Sequence, residues 1–394
     1  MDTLSERINN LSVSQTLAMA AKARELKAEG KDIISLSLGE PDFNTPDFIK
    51  EAAIKAIHEN YSTYSPVDGY LELKQAICWK LKRDNNIDYN PAQVVVSTGA
   101  KQSLYNIAQV MLNEGDEVIL PAPYWVSYYE IIKLSGGVPV EVPTTVENDF
   151  KMTPEQFEAA ITPKTKMMWF SSPCNPSGSV YSREELTAIA KVLEKYPNIY
   201  VVSDEIYEHI NFSGTFCSIA SIPGMIDKTI TVNGVAKAFA MTGWRIGYMA
   251  APEFIAKACT KMQGQVTSGA NSIAQRAVIT ALEADPKVLE EMVDAFHKRR
   301  DLVIDLLKLI PGMKINEPEG AFYAFPDVSS YFGKTLNGYE IKDADDLSMY
   351  LLEHANVATV TGVAFGNPDC IRLSYATSET QLIEALRRIK AALA

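Results

Sequence analysis

Residues 233–248 read NGVAKAFAMTGWRIGY and follow the apolar stretch Thr229 to Val232. An apolar run closed by Asn and Gly is a strand ending in a turn. Gly234, Ala236, Ala238 and Ala240 crowd Lys237 with small residues, so a bulky group can approach the backbone there. A lysine in such a pocket can lose its charge and act as an amine nucleophile. Arg245, eight positions on, is suited to hold a phosphate. A lysine followed by an arginine is on its own an ordinary surface helix start, so the rest of the chain has to decide.

Moving outward, apolar strand candidates lie near Val94 to Val96, Val118 to Leu120, Val138 to Val142, Met167 to Phe170, Tyr200 to Val202 and Thr229 to Val232, separated by helical segments. That alternation predicts an α/β fold whose mostly parallel sheet is flanked by helices. Upstream, Ser14 to Glu29 has helical spacing and stops at Gly30, a natural left-handed C-terminal cap. The strand Ile33 to Leu38 then runs into GEPDFNTP, with Thr45 and Pro46 expected as N-cap and first helical residue. Downstream, Asp285 and Pro286 open an amphipathic run carrying Leu289, Met292, Val293, Phe296, Val303, Leu306 and Leu307, which ends at Pro311 and Gly312. Beyond it, Ala321 to Phe325, Val357 to Val360 and Ile371 to Tyr375 read as short strands, and Glu379 to Leu393 as a last helix. The expected division is a large domain at 45–285 and a smaller α/β domain from 1–44 and 286–394, with 286–310 the connecting helix. There is no internal repeat or low-complexity tract.

Composition narrows the function. A chain of 394 residues, 47% hydrophobic, can bury a full core. Its net charge of −12 argues against a nucleic-acid surface, which needs an excess of Lys and Arg on one face. The basic run His297 to Arg300 lies within a helical pattern and reads as a solvated face. Five scattered cysteines without C-x-x-C spacing suggest reduced thiols and no zinc site. MDTLSERINN has no apolar core of the kind a secretory signal needs, and no apolar stretch approaches membrane-spanning length, so a cytoplasmic protein is expected.

Several further stretches carry chemistry. Asp204 ends YVVSDEIY at the C-terminal edge of the sheet, where open α/β sheets bind ligands, and Tyr207 follows three residues later. In SSPCNPSGSVY, a Pro- and Gly-rich turn presents the amide of Asn175. STGAKQSLYN follows a strand and opens a helix, which makes the N–H groups of Gly99, Ala100 and Lys101 a phosphate cradle. APYWVSYYE supplies Trp125, and CIRLSYATSE places Arg372 in an otherwise apolar strand, where its planar fork can grip a carboxylate. Taken singly, each has an ordinary reading: a helix cap, a half-buried tyrosine, an Asn-Pro turn, a generic βα turn, a core tryptophan, an ion pair.

Together they do not. GVAKAFAMTGWRIG is similar, at every constrained position, to the signature of class I pyridoxal-phosphate aminotransferases, and the other motifs extend the resemblance from about Leu38 to Ser378. The branch it resembles is the aspartate aminotransferase branch of many bacteria. The resemblance implies a fold type I transferase in which Lys237 carries pyridoxal 5'-phosphate as a Schiff base. It implies that Asp204 pairs with the ring nitrogen, that Asn175 and Tyr207 meet the 3-oxygen, that Trp125 stacks on the ring, and that Arg245 grips the phosphate. Arg372 would take the substrate α-carboxylate, with the backbone around Gly39 closing over it. Ser177 replaces the usual Thr, and Gly234 stands where some relatives place a phosphate-binding serine, which shifts that grip towards Arg245 and the Gly99 turn.

Lys101 and Thr16 correspond to the pair that takes a distal carboxylate, which points to aspartate or glutamate with 2-oxoglutarate by a ping-pong exchange. Prephenate, with its ring carboxylate, and aromatic amino acids are alternatives within the same branch. A carbon–sulfur β-lyase shares the lysine and the electron sink but has no use for Lys101. A transcription regulator built on this fold needs a DNA-binding module ahead of it. Tyr64, in STYSPVDGY, corresponds to a tyrosine that reaches a neighbour's cofactor phosphate, implying a homodimer.

Overall fold

The computed structural model describes residues 3–394. Its centre is a seven-stranded sheet of β1 (Val94–Ser97), β2 (Glu117–Ala122), β3 (Val138–Pro143), β4 (Thr165–Ser171), β5 (Tyr200–Asp204), β6 (Thr229–Gly234) and β7 (Gly247–Ala250), in spatial order 1-7-6-5-4-2-3. All neighbours are parallel except β7, which runs antiparallel between β1 and β6. The strands are nearly continuous apolar runs because helices cover both faces: Val118, Met167, Val202 and Ile230 pack to one side, and Ile119, Met168 and Val201 to the other. The six parallel strands match the sequence expectation; β7 was not foreseen.

Gly247 explains why β7 fits. A Cβ there would overlap the backbone of Gly99 and Ala100, so only glycine lets β7 pass beneath the turn that opens the helix Ala100–Met111. The strand that closes the Lys237 motif is thereby pressed against the candidate phosphate turn.

The C-terminal residues form smaller sheets. Ile371–Ser374 pairs antiparallel with Val360–Thr361 and Tyr323–Ala324, and a hairpin joins Lys334–Leu336 to Tyr339–Ile341. The N-terminal segment joins this layer: Ile34–Ser35 pairs parallel with Val357–Ala358. Only those two residues of the expected strand Ile33 to Leu38 enter a ladder, and the expected strand Val357 to Val360 splits into two pieces in different sheets. The core here joins Ile34 and Leu36 to Phe296, Val303, Leu307, Phe322, Tyr350 and Leu386.

Three local readings are corrected. Helix Asp47–His58 takes Pro46 rather than Thr45 at its N-cap position; the Thr45 hydroxyl instead donates to the Ala240 carbonyl at 2.8 Å and accepts from the Trp244 indole at 3.1 Å. Asp285 caps a short 3₁₀ turn, Pro286–Leu289, before the helix Glu290–Lys308 begins. The basic run is a solvated face only in part: Lys298 is exposed and His297 half-buried, but Arg300 is buried against the Pro318 carbonyl and Arg299 pairs with Asp42 at 2.7 Å.

Candidate active site

The parallel strands end on one side of the sheet, and the segments after β1, β2, β4, β5 and β6 converge there on a cleft of about 460 Å³. Every expected site residue except Tyr64 lines it: Thr16, Gly39, Gly99, Ala100, Lys101, Trp125, Asn175, Asp204, Tyr207, Lys237, Arg245 and Arg372. Tyr64 lies outside, with 98% of its surface exposed.

Lys237 projects from the turn after β6 and donates from Nζ to the Gly39 carbonyl at 2.6 Å. Burial pulls its pKa down to about 8, with Arg372 and Arg245 pulling the same way and Glu40 and Asp204 opposing. A substantial fraction is therefore neutral amine near pH 8, the form that attacks a carbonyl.

Asp204 closes β5 and is buried. Its Oδ2 accepts from the Tyr128 hydroxyl at 2.7 Å and its Oδ1 from the Ile206 N–H at 3.3 Å. Burial raises its pKa to about 6, against those two donors and Lys237. It remains a carboxylate at neutral pH, suited to hold a protonated ring nitrogen. Tyr207 shares a 2.7 Å hydrogen bond with Tyr323, whose hydroxyl a Cβ on Gly39 would strike.

Arg372 is 2% exposed and lies over the Tyr323 and Phe365 rings at 4.6 and 4.9 Å. Its Nη1 donates to Asn175 Oδ1 at 2.9 Å and its Nη2 to the Ser37 carbonyl at 2.7 Å. These bonds fix the fork while leaving each Nη a second hydrogen, and the buried Nε has no partner among the described residues. Because Asn175 accepts through oxygen, its NH₂ is left to donate into the cleft.

At the far side, Gly99 takes φ +82°, and a Cβ there would overlap the Arg245 guanidinium, which lies directly over the turn. One expectation needs correcting: the Gly99 N–H already donates to the Ser97 carbonyl at 2.8 Å, so the cradle is left to Ala100 and Lys101, in the first helical turn. Lys101 extends over the Trp125 ring at 4.9 Å; partial burial, then the charge of Arg245, lower its pKa. The Thr16 hydroxyl oxygen is buried on the cleft wall without a partner among the described residues.

The residues present fit pyridoxal 5'-phosphate: a lowered-pKa lysine, a buried carboxylate, a positively charged helix start for phosphate, and an aromatic wall. Sequence reasoning missed Tyr128 and Tyr323. Tyr128 sits three residues after Trp125, one helical turn away, and that spacing was the available signal; nothing local marked Tyr323. Among the described residues no acidic, His or Cys cluster could hold a metal ion.

Comparison with known proteins agrees with this geometry. Residues 31–389 match the family described as aminotransferase class I and II. The chain is 49% identical to an aspartate/prephenate aminotransferase of Cereibacter sphaeroides, covering 99% of this chain and 98% of that one. It is 47% identical to a bifunctional aspartate aminotransferase and glutamate/aspartate-prephenate aminotransferase of Petunia hybrida, over 99% of this chain and 83% of the plant one. Among solved structures, the aspartate aminotransferase from Rhizobium meliloti superposes with a TM-score of 0.96 at 44% identity, covering 100% and 99% of the two chains. The Thermus thermophilus aspartate aminotransferase with maleate gives 0.94 at 42% identity, covering both chains fully. With the family matched over nearly its whole length, this chain belongs to the class I and II aminotransferases.

Proposed function

We propose that the protein transfers the amino group between L-aspartate and 2-oxoglutarate by a ping-pong exchange, using pyridoxal 5'-phosphate held on Lys237. The observation that carries this is the cleft itself, where a lowered-pKa lysine, a buried Asp204 and a carboxylate-ready Arg372 face one another. The bound cofactor supplies the electron sink that makes the substrate Cα proton removable. Asp204 holds the ring nitrogen protonated, and Tyr128 holds Asp204. Ala100, Lys101 and Arg245 take the phosphate. Asn175 and Tyr207 serve the 3-oxygen, and Trp125 covers the ring.

Arg372 takes the α-carboxylate and thereby orients Cα towards Lys237, whose amine moves the proton. Lys101 and Thr16 supply the second carboxylate site, which favours dicarboxylic substrates. A relative with a TM-score of 0.94 is known with maleate, itself a dicarboxylate. Prephenate is the second reading, favoured by the names of the Cereibacter and Petunia relatives and by its ring carboxylate, which the same Lys101 and Thr16 can take.

This reading includes a large domain at 45–285 and a small one at 1–44 and 286–394, a cytoplasmic location, and a homodimer in which Tyr64 serves the neighbouring site. The nearly complete exposure of Tyr64 supports the last of these. No helix of the described residues is long and apolar enough to cross a membrane. The deciding experiment loads the purified protein with the cofactor and offers aspartate, glutamate and phenylalanine with 2-oxoglutarate, oxaloacetate and prephenate. Oxaloacetate release from aspartate is expected; visible cofactor absorbance without transfer from any amino donor refutes the reading.

A further inference from the structure

Behind the cleft lies a buried polar cluster that the reaction as described does not use. Glu208, one residue after Tyr207, is buried, and its Oε1 accepts from both the Lys80 ammonium and Asn233 Nδ2, the latter at 2.8 Å. Its Oε2 accepts from Asn85 Nδ2 at 2.7 Å, while Asn85 Oδ1 accepts from Lys80 Nζ at 2.8 Å. Lys80, 1% exposed, and Asn85 come from the helix Leu71–Asn85, far from the cleft in sequence. Asp84 lies 3.8 Å from Lys80, and the His209 imidazole lies 3.4 Å from Glu208. Glu205 is buried on the same side, between the Ser203 and Ser218 hydroxyls.

Asn233 is the link to the chemistry. It is the last residue but one of β6, and its Oδ1 accepts the Gly234 N–H at 2.7 Å, at the base of the turn that presents Lys237. One carboxylate thus ties the segment after β5, which follows Asp204 and carries Tyr207, to the end of β6, just before the turn that carries Lys237. Replacing a buried ion pair by apolar residues of similar volume is often neutral or stabilising, so stability is a weak reason for burying these charges. A hydrogen-bonded network that admits one geometry does what packing does not: it fixes the relative position of two loops.

We propose that Glu208, held by Lys80 and Asn85, is a positioning residue for Lys237, acting through Asn233 to fix where the amine stands against Asp204 and Tyr207. This rests on the reading of Lys237 as the cofactor lysine. Asn233→Ala cuts the link and leaves the Lys80–Glu208 pair intact. Lys80→Met with Glu208→Gln removes both charges and with them the hold of Lys80 on the residue that Asn233 bonds. Leu193→Ala, a buried core change in the helix Arg183–Glu194, serves as a stability control.

The readout is the pH midpoint of the visible absorbance of the full-length protein loaded with pyridoxal phosphate, beside kcat and KM. In Asn233→Ala the midpoint is expected to move by about half a pH unit or more, roughly threefold in the protonation equilibrium. kcat should fall about tenfold with KM for aspartate changed less than about twofold, because Arg372 and Lys101 are untouched. The double variant, in which residue 208 is no longer held by Lys80, should move the midpoint in the same direction. A midpoint in Asn233→Ala that is unmoved, or moved no further than in Leu193→Ala, overturns the proposal, as does a double variant that keeps the parent midpoint. If the parent itself shows no visible band with the cofactor, the cofactor reading has failed first and the proposal falls with it.

Discussion

Tyr128→Phe isolates the contact that, in the proposed function, keeps Asp204 ready for the cofactor nitrogen. Phenylalanine keeps the edge-to-face packing against Trp125 and Trp169 and removes only the hydroxyl that donates to Asp204 at 2.7 Å. A buried hydrogen bond to a charged group contributes about 1.5–3 kcal/mol, and each pKa unit corresponds to about 1.4 kcal/mol, so Asp204 should rise by about 1–2 units. From its value of about 6, that carries it to about 7–8. A cationic ring nitrogen binds only the ionised carboxylate, and the protonated fraction therefore weakens the cofactor.

The sign follows: the parent carboxyl is mostly ionised across this range, while the variant loses its charge as pH falls. Between about pH 8.5 and 6.5 the variant's cofactor affinity should drop about three- to twentyfold relative to the parent's. Lys237 titrates in both proteins and cancels in that ratio. The assay is equilibrium dialysis or absorbance titration with pyridoxal phosphate at the two pH values. A variant-to-parent ratio independent of pH refutes the argument that Tyr128 acts by keeping Asp204 ionised.

Three other changes test two walls of the cleft and the exposed Tyr64. Lys101→Glu places a negative charge where the distal carboxylate is expected, and kcat/KM for aspartate should fall about 10- to 100-fold more than for phenylalanine; equal losses contradict the role given to Lys101. Gly99→Ala forces an L residue into φ +82° and displaces the Arg245 guanidinium, so the cofactor dissociation constant should rise at least about tenfold, a loss of about 1.4 kcal/mol read by absorbance titration. Tyr64→Ala removes a side chain that touches almost nothing within its own protomer. Its melting temperature without cofactor should be unchanged while cofactor affinity falls, and an unchanged affinity contradicts a Tyr64 that serves a second chain.

How much of this was legible in the sequence depended on whether a signal was local. The six parallel strands are apolar runs with turns behind them, and burial on both faces produces that pattern directly. β7 escaped because Gly247 to Ala250 follows the lysine motif without a turn signature of its own, and its antiparallel insertion between β1 and β6 depends on the close approach of Gly247 to the Gly99 turn. The hairpin at Lys334–Ile341 was readable and overlooked: Asn337 and Gly338, at φ +49° and +82°, form the Asn-Gly pair that favours a two-residue hairpin loop.

In the cleft, motifs at strand ends identified the residues that would face a ligand, because the parallel strands all end on the side of the sheet where the cleft lies. Their supports were a different matter. Tyr323 lies 116 residues from the Tyr207 it bonds, and Ser37 lies 335 residues from Arg372. A side chain that reaches the ligand carries a chemical requirement of its own, visible as an unusual residue in its setting, such as Arg372 in an apolar strand. A side chain that only holds such a residue in place satisfies its partner's geometry, and that requirement exists only once the chain is folded. The Glu208 cluster is the extreme case, since Lys80, Glu208 and Asn233 are unremarkable in sequence and acquire meaning only by meeting behind the cleft.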